Sequence, residues 1–432
     1  MKFIKRSSSK KKATTDNECW KNLSDYTKIN LNENVTENSF VQGKLGNCGM
    51  IASMASLASN LDIYNKVVPK NQHGYSLHYT RNSSEFTFVL YKNGHRHYVK
   101  VNDSLPHIGS TLKYSCSFSN NSVGPLLEKA LVKLHFQGNY ESAEGVKAHH
   151  ILTSFTNNFF EKYFNISTDL TCNLHDVIHH GMITRSLMVV TFKKNVRKYS
   201  VSQGHYYTVL EMNEKLVKLY NPHGETIFLS ISKFLKKIYK LEISYFENKI
   251  FMMPEIETLE EFWETWPELQ INNKISFIVY DLLVKEDDTE MLINLIEKND
   301  HKMQRVILII AENEKENAVG KNKQVLSTSC LKHLQNIHYK PSLRQNLNKG
   351  KYKIVVTFSK YKYTNLYDDR NCLEYLNNGG NKMLFRFASS KHCTVNKTIS
   401  KENEIIEQTI TRWFRKALSY QRSNLLNVLL LH

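Results

Sequence analysis

Covalent chemistry in this sequence centres on Cys48 and His205, provided that the fold brings them together. A thiol is a useful nucleophile only as a thiolate, so it needs a depressed pKa and a nearby base. Cys48 ends the stretch Gln42-Gly43-Lys44-Leu45-Gly46-Asn47, and after it Ile51, Met54, Ala55 and Ala58 fall at helical spacing. Asn47 is a good N-cap, so Cys48 is predicted in the first turn, where unpaired amides favour a thiolate. The glycines on either side leave room for a substrate backbone. A buried, inert cysteine is the ordinary reading of such a residue, and these neighbours argue against it here.

His205 opens the strand-like run Tyr206-Tyr207-Thr208-Val209-Leu210. If the chain bends over residues 211–215, paired residues across the hairpin have numbers summing to about 426, and 205 + 221 = 426 selects Asn221. An Asn side-chain oxygen there accepts a bond from the imidazole and turns its other nitrogen to a thiol, as a general base requires. Gln42 lies six positions before Cys48 (48 − 42 = 6), across the glycine turn. Its amide can join the Cys48 N–H in stabilising the oxyanion formed during acyl transfer. Alone, His205 is as well read as a structural strand residue and Gln42 as a loop glutamine.

These residues need a scaffold that holds distant segments together. The chain has 432 residues, 41% hydrophobic and 23% charged, which is the range of a folded protein of two or three units. No run of about 18 apolar residues suggests a membrane span, and no signal peptide opens the chain. A cytoplasmic protein is expected, with a nuclear address as a second reading. Seven scattered cysteines (Cys19, Cys48, Cys116, Cys172, Cys330, Cys372 and Cys393) without a C-x-x-C pair indicate neither a disulfide framework nor a zinc site. The formal charge of +17 is spread along the chain, with one cluster at Lys2, Lys5, Arg6, Lys10, Lys11 and Lys12. That cluster reads as a basic disordered tail over 1–18 that could meet an anionic membrane surface or an acidic protein. A nucleic-acid reading has the charge but no binding motif, so no specific nucleic acid is expected.

Helical periodicity dominates from 19 to 157, and strand-like runs from 158 to 250. From 255 to 395, Ile275 to Tyr280, Val306 to Ile310, Tyr352 to Phe358 and Met383 to Phe387 read as strands of a β-sandwich. Over 400–432 an amphipathic helix places Ile406, Ile410, Trp413, Phe414 and Ala417 on one face.

In this order, Val41-Gln42-Gly43-Lys44-Leu45-Gly46-Asn47-Cys48, Gly204-His205-Tyr206 and Asn221-Pro222-His223-Gly224-Glu225 resemble the three catalytic blocks of the calpains. Leu126-Leu127-Glu128-Lys129-Ala130 resembles the helix between them, and Leu241-Glu242-Ile243 the end of the catalytic region. Gly350-Lys351-Tyr352-Lys353-Ile354-Val355-Val356 and Leu384-Phe385-Arg386-Phe387 resemble the following β-sandwich. The resemblance implies an α+β fold: a papain-like two-lobed core, helical then β-rich, followed by a calpain-type sandwich and the C-terminal helix. It implies a cysteine endopeptidase acting on intracellular proteins, with Cys48 as nucleophile, His205 as base, Asn221 as its orienter and Gln42 in the oxyanion hole.

The chain departs from this family where Gly49 and His223 stand at two tryptophan positions. Ser39 and Asn121 stand where calcium-binding carboxylates are expected, and Phe228 follows Glu225 too soon for the second acidic loop. Hard cations need anionic oxygen ligands, so no cofactor and no metal is expected in the core. The alternative function is a catalytically weak or inactive scaffold of the same family, working through protein interactions.

Overall fold

The computed structural model describes residues 18–25, 27, 29–70, 85–92, 94–119, 121–164, 174–193, 201–246, 250, 257–265, 277–297, 305–312, 342–359 and 382–397. The expected helix over 400–432 lies outside them, as does the basic tail except for Glu18, which opens the first strand.

In chain order the first half contains β1 (Glu18–Asn22), α1 (Cys48–Ser56), α2 (Leu61–Val67), β2 (Glu85–Lys92), β3 (His95–Asn102), β4 (Ser104–Ile108), β5 (Thr111–Leu112), α3 (Val123–Phe136) and α4 (Ala148–Thr156). It continues with β6 (Phe160–Phe164), α5 (Leu174–Ile183), β7 (Leu187–Phe192), β8 (Tyr206–Met212), β9 (Leu216–Asn221), β10 (Glu225–Ser230), α6 (Ile231–Lys237) and β11 (Ile238–Ser244). Strands β6 to β11 form one sheet in the order β10-β9-β8-β7-β11-β6. The last part is built from β12 (Thr258–Thr265), β13 (Phe277–Val284), β14 (Thr289–Glu297), β15 (Arg305–Glu312), β16 (Ser342–Leu347), β17 (Gly350–Ser359), β18 (Lys382–Ser389) and β19 (Cys393–Lys397). These make two four-stranded sheets, β12-β18-β14-β16 and β15-β17-β13-β19.

Helix α1 is the centre of the first core. Every residue from Gly49 to Ser56 is buried, because the helix packs on α4 and on β8 of the sheet. The helical spacing continues to Ala58, but α1 stops at Ser56 and residues 57–59 tighten into a 3₁₀ turn. Ser56 Oγ and Ser59 Oγ bond the carbonyls of Ser53 and Ser56, drawing that end into a tighter turn.

The six-stranded sheet is covered on both faces, which explains why all six residues of β7 are buried. Leu187 and Val189 join the core around α1, whereas Met188 and Val190 join a second core with α5 and α6, following the two-residue period of a strand. The two later sheets enclose a third core of Tyr280, Leu282, Ile293, Ile354, Phe385 and Phe387. Of the four strands expected there, all occur as β13, β15, β17 and β18. Leu292 of β14 and Ala388 of β18 belong instead to the second core, so the sheet β12-β18-β14-β16 is packed onto the first half of the chain.

Candidate active site

Cys48 is the first residue of α1, as its neighbours require, but Asn47 does not cap the helix with its side chain. Its carbonyl accepts from Met50 and Ile51, while its Nδ2 donates to Glu128 Oε1 on α3 at 2.7 Å. The other Glu128 oxygen accepts from the Ser115 N–H at 2.9 Å. A carboxylate fully enclosed behind the nucleophile turn thus holds the Asn47 side chain by its NH₂, and the Oδ1 that a cap would use accepts no hydrogen bond among the described residues. Burial raises the Glu128 carboxyl to about 7, against the pull of the Ser115 and Asn47 donors.

The hairpin pairs in a different register from the expected one. Next to the turn over residues 213–215, Glu211 faces Lys218 and Met212 faces Val217, with pair numbers summing to 429; beyond a bulge at Leu210, Thr208 faces Tyr220 and Val209 faces Leu219, where they sum to 428. By that sum residue 205 lies opposite 223, and Asn221 sits on the diagonal. The His205 and His223 rings accordingly stack, with centroids 4.9 Å apart and planes 5° from parallel. The diagonal still serves: His205 Nε2 and Asn221 Oδ1 are 3.0 Å apart. Asn221 is the last residue of β9 and is buried, and its oxygen also accepts from the His223 N–H at 3.1 Å. Gly224, at φ +92°, closes the turn into β10, and a side chain there would run into the Phe118 ring.

The thiol is tied to the same strand. The backbone N–H of Tyr206, which belongs to the peptide joining it to His205, points at the Cys48 sulfur. Burial pushes the thiol up; the N–H groups of Tyr206, Gly49 and Cys48 itself, and the Lys147 charge, pull it down. Burial likewise lowers His205, which the Asn221 bond opposes and the His223 charge reinforces. When the proton passes from sulfur to imidazole each new charge gains the other as its partner, which offsets both burial costs.

Gln42 Nε2 donates to Leu45 O at 2.6 Å, and its backbone N–H donates to Pro222 O at 2.7 Å. The candidate oxyanion residue is therefore fastened to the Asn221 turn, with one hydrogen of its NH₂ committed to Leu45 O. Gly49 is required by backbone contact, since a Cβ there would stand 2.4 Å from Val146 O and 3.3 Å from the Tyr206 ring.

Ser39 and Asn121 meet. Asn121 Nδ2 donates to Ser39 Oγ at 2.6 Å, and Ser39 Oγ shares a bond with Ser119 Oγ at 2.8 Å. Hydroxyls and an amide satisfy one another, and among the described residues no group of three or more His, Cys, Asp or Glu could hold a metal ion. From Glu225 to Phe228 the chain is continuous strand β10, paired with β9 from Glu225 opposite Asn221 to Phe228 opposite Lys218.

Sequence reasoning gave no role to Glu242, Lys240, His149 or Tyr206. Their one signal is a charged residue inside a strand, since Glu242 is buried between Leu241 and Ile243.

Residues 2–238 match the calpain family cysteine protease family, more than half of the chain. Human calpain-12 is 29% identical over 208 residues, 44% of this chain and 27% of its own length. The rat calpain-1 catalytic subunit is 30% identical over 210 residues, 45% of this chain and 28% of its own. Calpain clp-4 of Caenorhabditis elegans is 28% identical over 199 residues, 42% and 27% respectively. The chain belongs to the calpain family of cysteine proteases. It spans little more than a quarter of the length of these relatives.

Proposed function

We propose that the chain is an active cysteine endopeptidase that cleaves peptide bonds of protein substrates through Cys48, His205 and Asn221, with Gln42 as an oxyanion donor. The carrying observation is the 3.0 Å bond from His205 Nε2 to Asn221 Oδ1 beside a thiol at the start of a buried helix. That bond commits one ring nitrogen and leaves Nδ1 to take the thiol proton. The thiolate attacks the substrate carbonyl, the Cys48 N–H and Gln42 amide stabilise the oxyanion, and His205 protonates the leaving amine. Water then releases the acyl group by the same route in reverse.

In this reading residues 19–157 and 158–250 are the two lobes of a papain-like core, and 255–395 is the calpain-type sandwich. Catalysis proceeds without calcium in the core, because Ser39 and Asn121 satisfy each other. A second reading, an idle scaffold, is favoured by the burial that disfavours charge on Cys48 and His205 and by Gly49 and His223 at the tryptophan positions. A thiol-directed activity probe decides between them. Labelling and cleavage of unfolded protein, both lost in Cys48→Ser, are expected; a wild-type chain that neither labels nor cleaves would be the scaffold.

A further inference from the structure

Behind the candidate site lies a charged network that the reaction does not use. Lys240 Nζ donates to the Tyr206 phenol oxygen at 2.6 Å and lies 3.0 Å from Glu242 Oε1. The same carboxylate oxygen is 3.4 Å from His149 Nδ1 and 3.9 Å from Lys162 Nζ. Lys162 Nζ donates to His149 Nε2 at 3.1 Å, so the His149 hydrogen is on Nδ1, which lies near Glu242 without a geometrically formed hydrogen bond to it. Glu242 and His149 are 1% and 2% exposed. An unpaired charge so deep costs several kcal/mol, roughly, so each member depends on the others.

The network has a particular position. His149 lies on α4, Lys162 on β6, and Lys240 and Glu242 on β11. The Ala148 N–H also reaches the Tyr206 phenol. Lys240, Glu242 and the Ala148 N–H act on Tyr206 directly, and His149 and Lys162 act through Glu242; Tyr206 is the residue that follows His205 and whose N–H helps to lower the Cys48 thiol. We propose that Tyr206, anchored by Lys240 and Glu242, is a positioning residue that holds the His205–Tyr206 peptide against the thiol and so keeps nucleophile and base in register. This rests on the endopeptidase reading given above.

The chemistry suits a fixed post. Burial alone would raise Glu242, but Lys240, His149 and Lys162 outweigh it and hold the carboxylate well below its usual range. Burial and the neighbouring cations hold His149 well below the usual imidazole range, so it stays neutral at physiological pH. The network therefore keeps one charge state across the working range. Lys147, Tyr206 and Tyr207 interact electrostatically with the thiol, and of these three Tyr206 belongs to the network.

The test uses the full chain with Tyr206→Phe, Lys240→Met and Lys240→Arg. It measures kcat and KM on an unfolded protein substrate and, by mass spectrometry of the Cys48 peptide, the pH profile of Cys48 alkylation by iodoacetamide. Tyr206→Phe and Lys240→Met are expected to lower kcat by about tenfold or more with KM nearly unchanged, since small misplacements of reacting groups cost that much. They are also expected to move the onset of thiol reactivity up by about one pH unit, as a weakened N–H to sulfur bond would. Lys240→Arg should restore most of both. Unchanged kcat and alkylation, or losses in all three variants that follow thermal stability alone, would overturn the proposal. If the wild-type chain cleaves nothing, the endopeptidase reading fails, and the alkylation profile still decides whether Tyr206 positions the thiol.

Discussion

Cys48 and His205 each sit where burial favours the neutral form, so reactivity depends on their acting as a pair. Cys48→Ala is expected to abolish hydrolysis and His205→Ala nearly to do so, measured as kcat/KM on a protein substrate. Gln42→Ala should lower kcat by roughly 100-fold, the usual scale for one oxyanion donor, with an unchanged circular dichroism spectrum. The His205 pKa is lowered, so the neutral base survives to lower pH and the acidic limb of kcat/KM should fall below the ordinary imidazole value. The stacked His223 contributes to that lowering. His223→Phe keeps an aromatic face and removes the charge, so the limb should move to higher pH; a limb that stays put would show that His223 does not act on the base.

At the scale of elements, α3 stands behind the nucleophile turn with Glu128 enclosed. Its folded pKa of about 7 exceeds the value of 4.5 of an unhindered carboxyl, so the folded state binds the proton more tightly. This stabilisation is fully present below about pH 4.5 and is lost as pH rises through about 7, a span worth on the order of 3 kcal/mol. Glu128→Gln should flatten the dependence, so urea denaturation should show the variant gaining on the wild type between pH 4.5 and 8. Much of this frame was legible in the sequence: the start of α1, four of the later strands, and the partnership of His205 with Asn221. The hairpin register was not, because a two-residue period tells which face a residue occupies but not how tight the turn is. The same limit concealed the stacked histidines. Strand β14 was missed because Met291 and Ile293 enter one core and Leu292 another, so its apolar run carries no alternation. Glu242 and Lys240 gave no pattern, since their partners come from three distant segments.

Across the whole molecule the sheet β12-β18-β14-β16 is fastened to the end of α4 and the start of β6. Asn294 bonds both the N–H and the carbonyl of Phe160, at 2.7 and 3.0 Å. Arg344 pairs with Glu161 at 2.5 Å and with Glu290, and Arg386 donates to the Asn157 carbonyl at 3.0 Å and to its side chain at 3.1 Å. Removing Arg344 leaves Glu161 enclosed without its cation, so Arg344→Ala should cost on the order of 3 kcal/mol in denaturant unfolding. Hydrolysis by the full chain should be the same in excess chelator and in millimolar calcium; activity confined to the calcium arm would remove the proposed independence. The Ser39–Asn121 contact gives that expectation a wider meaning. An ion-bridged joint takes its state from the surrounding solution and so reports a concentration, whereas a hydroxyl bonded to an amide within one chain reports nothing. On the proposed reading the Ser39–Asn121 contact is a fixture rather than a sensor, and the molecule's readiness is set when the chain folds.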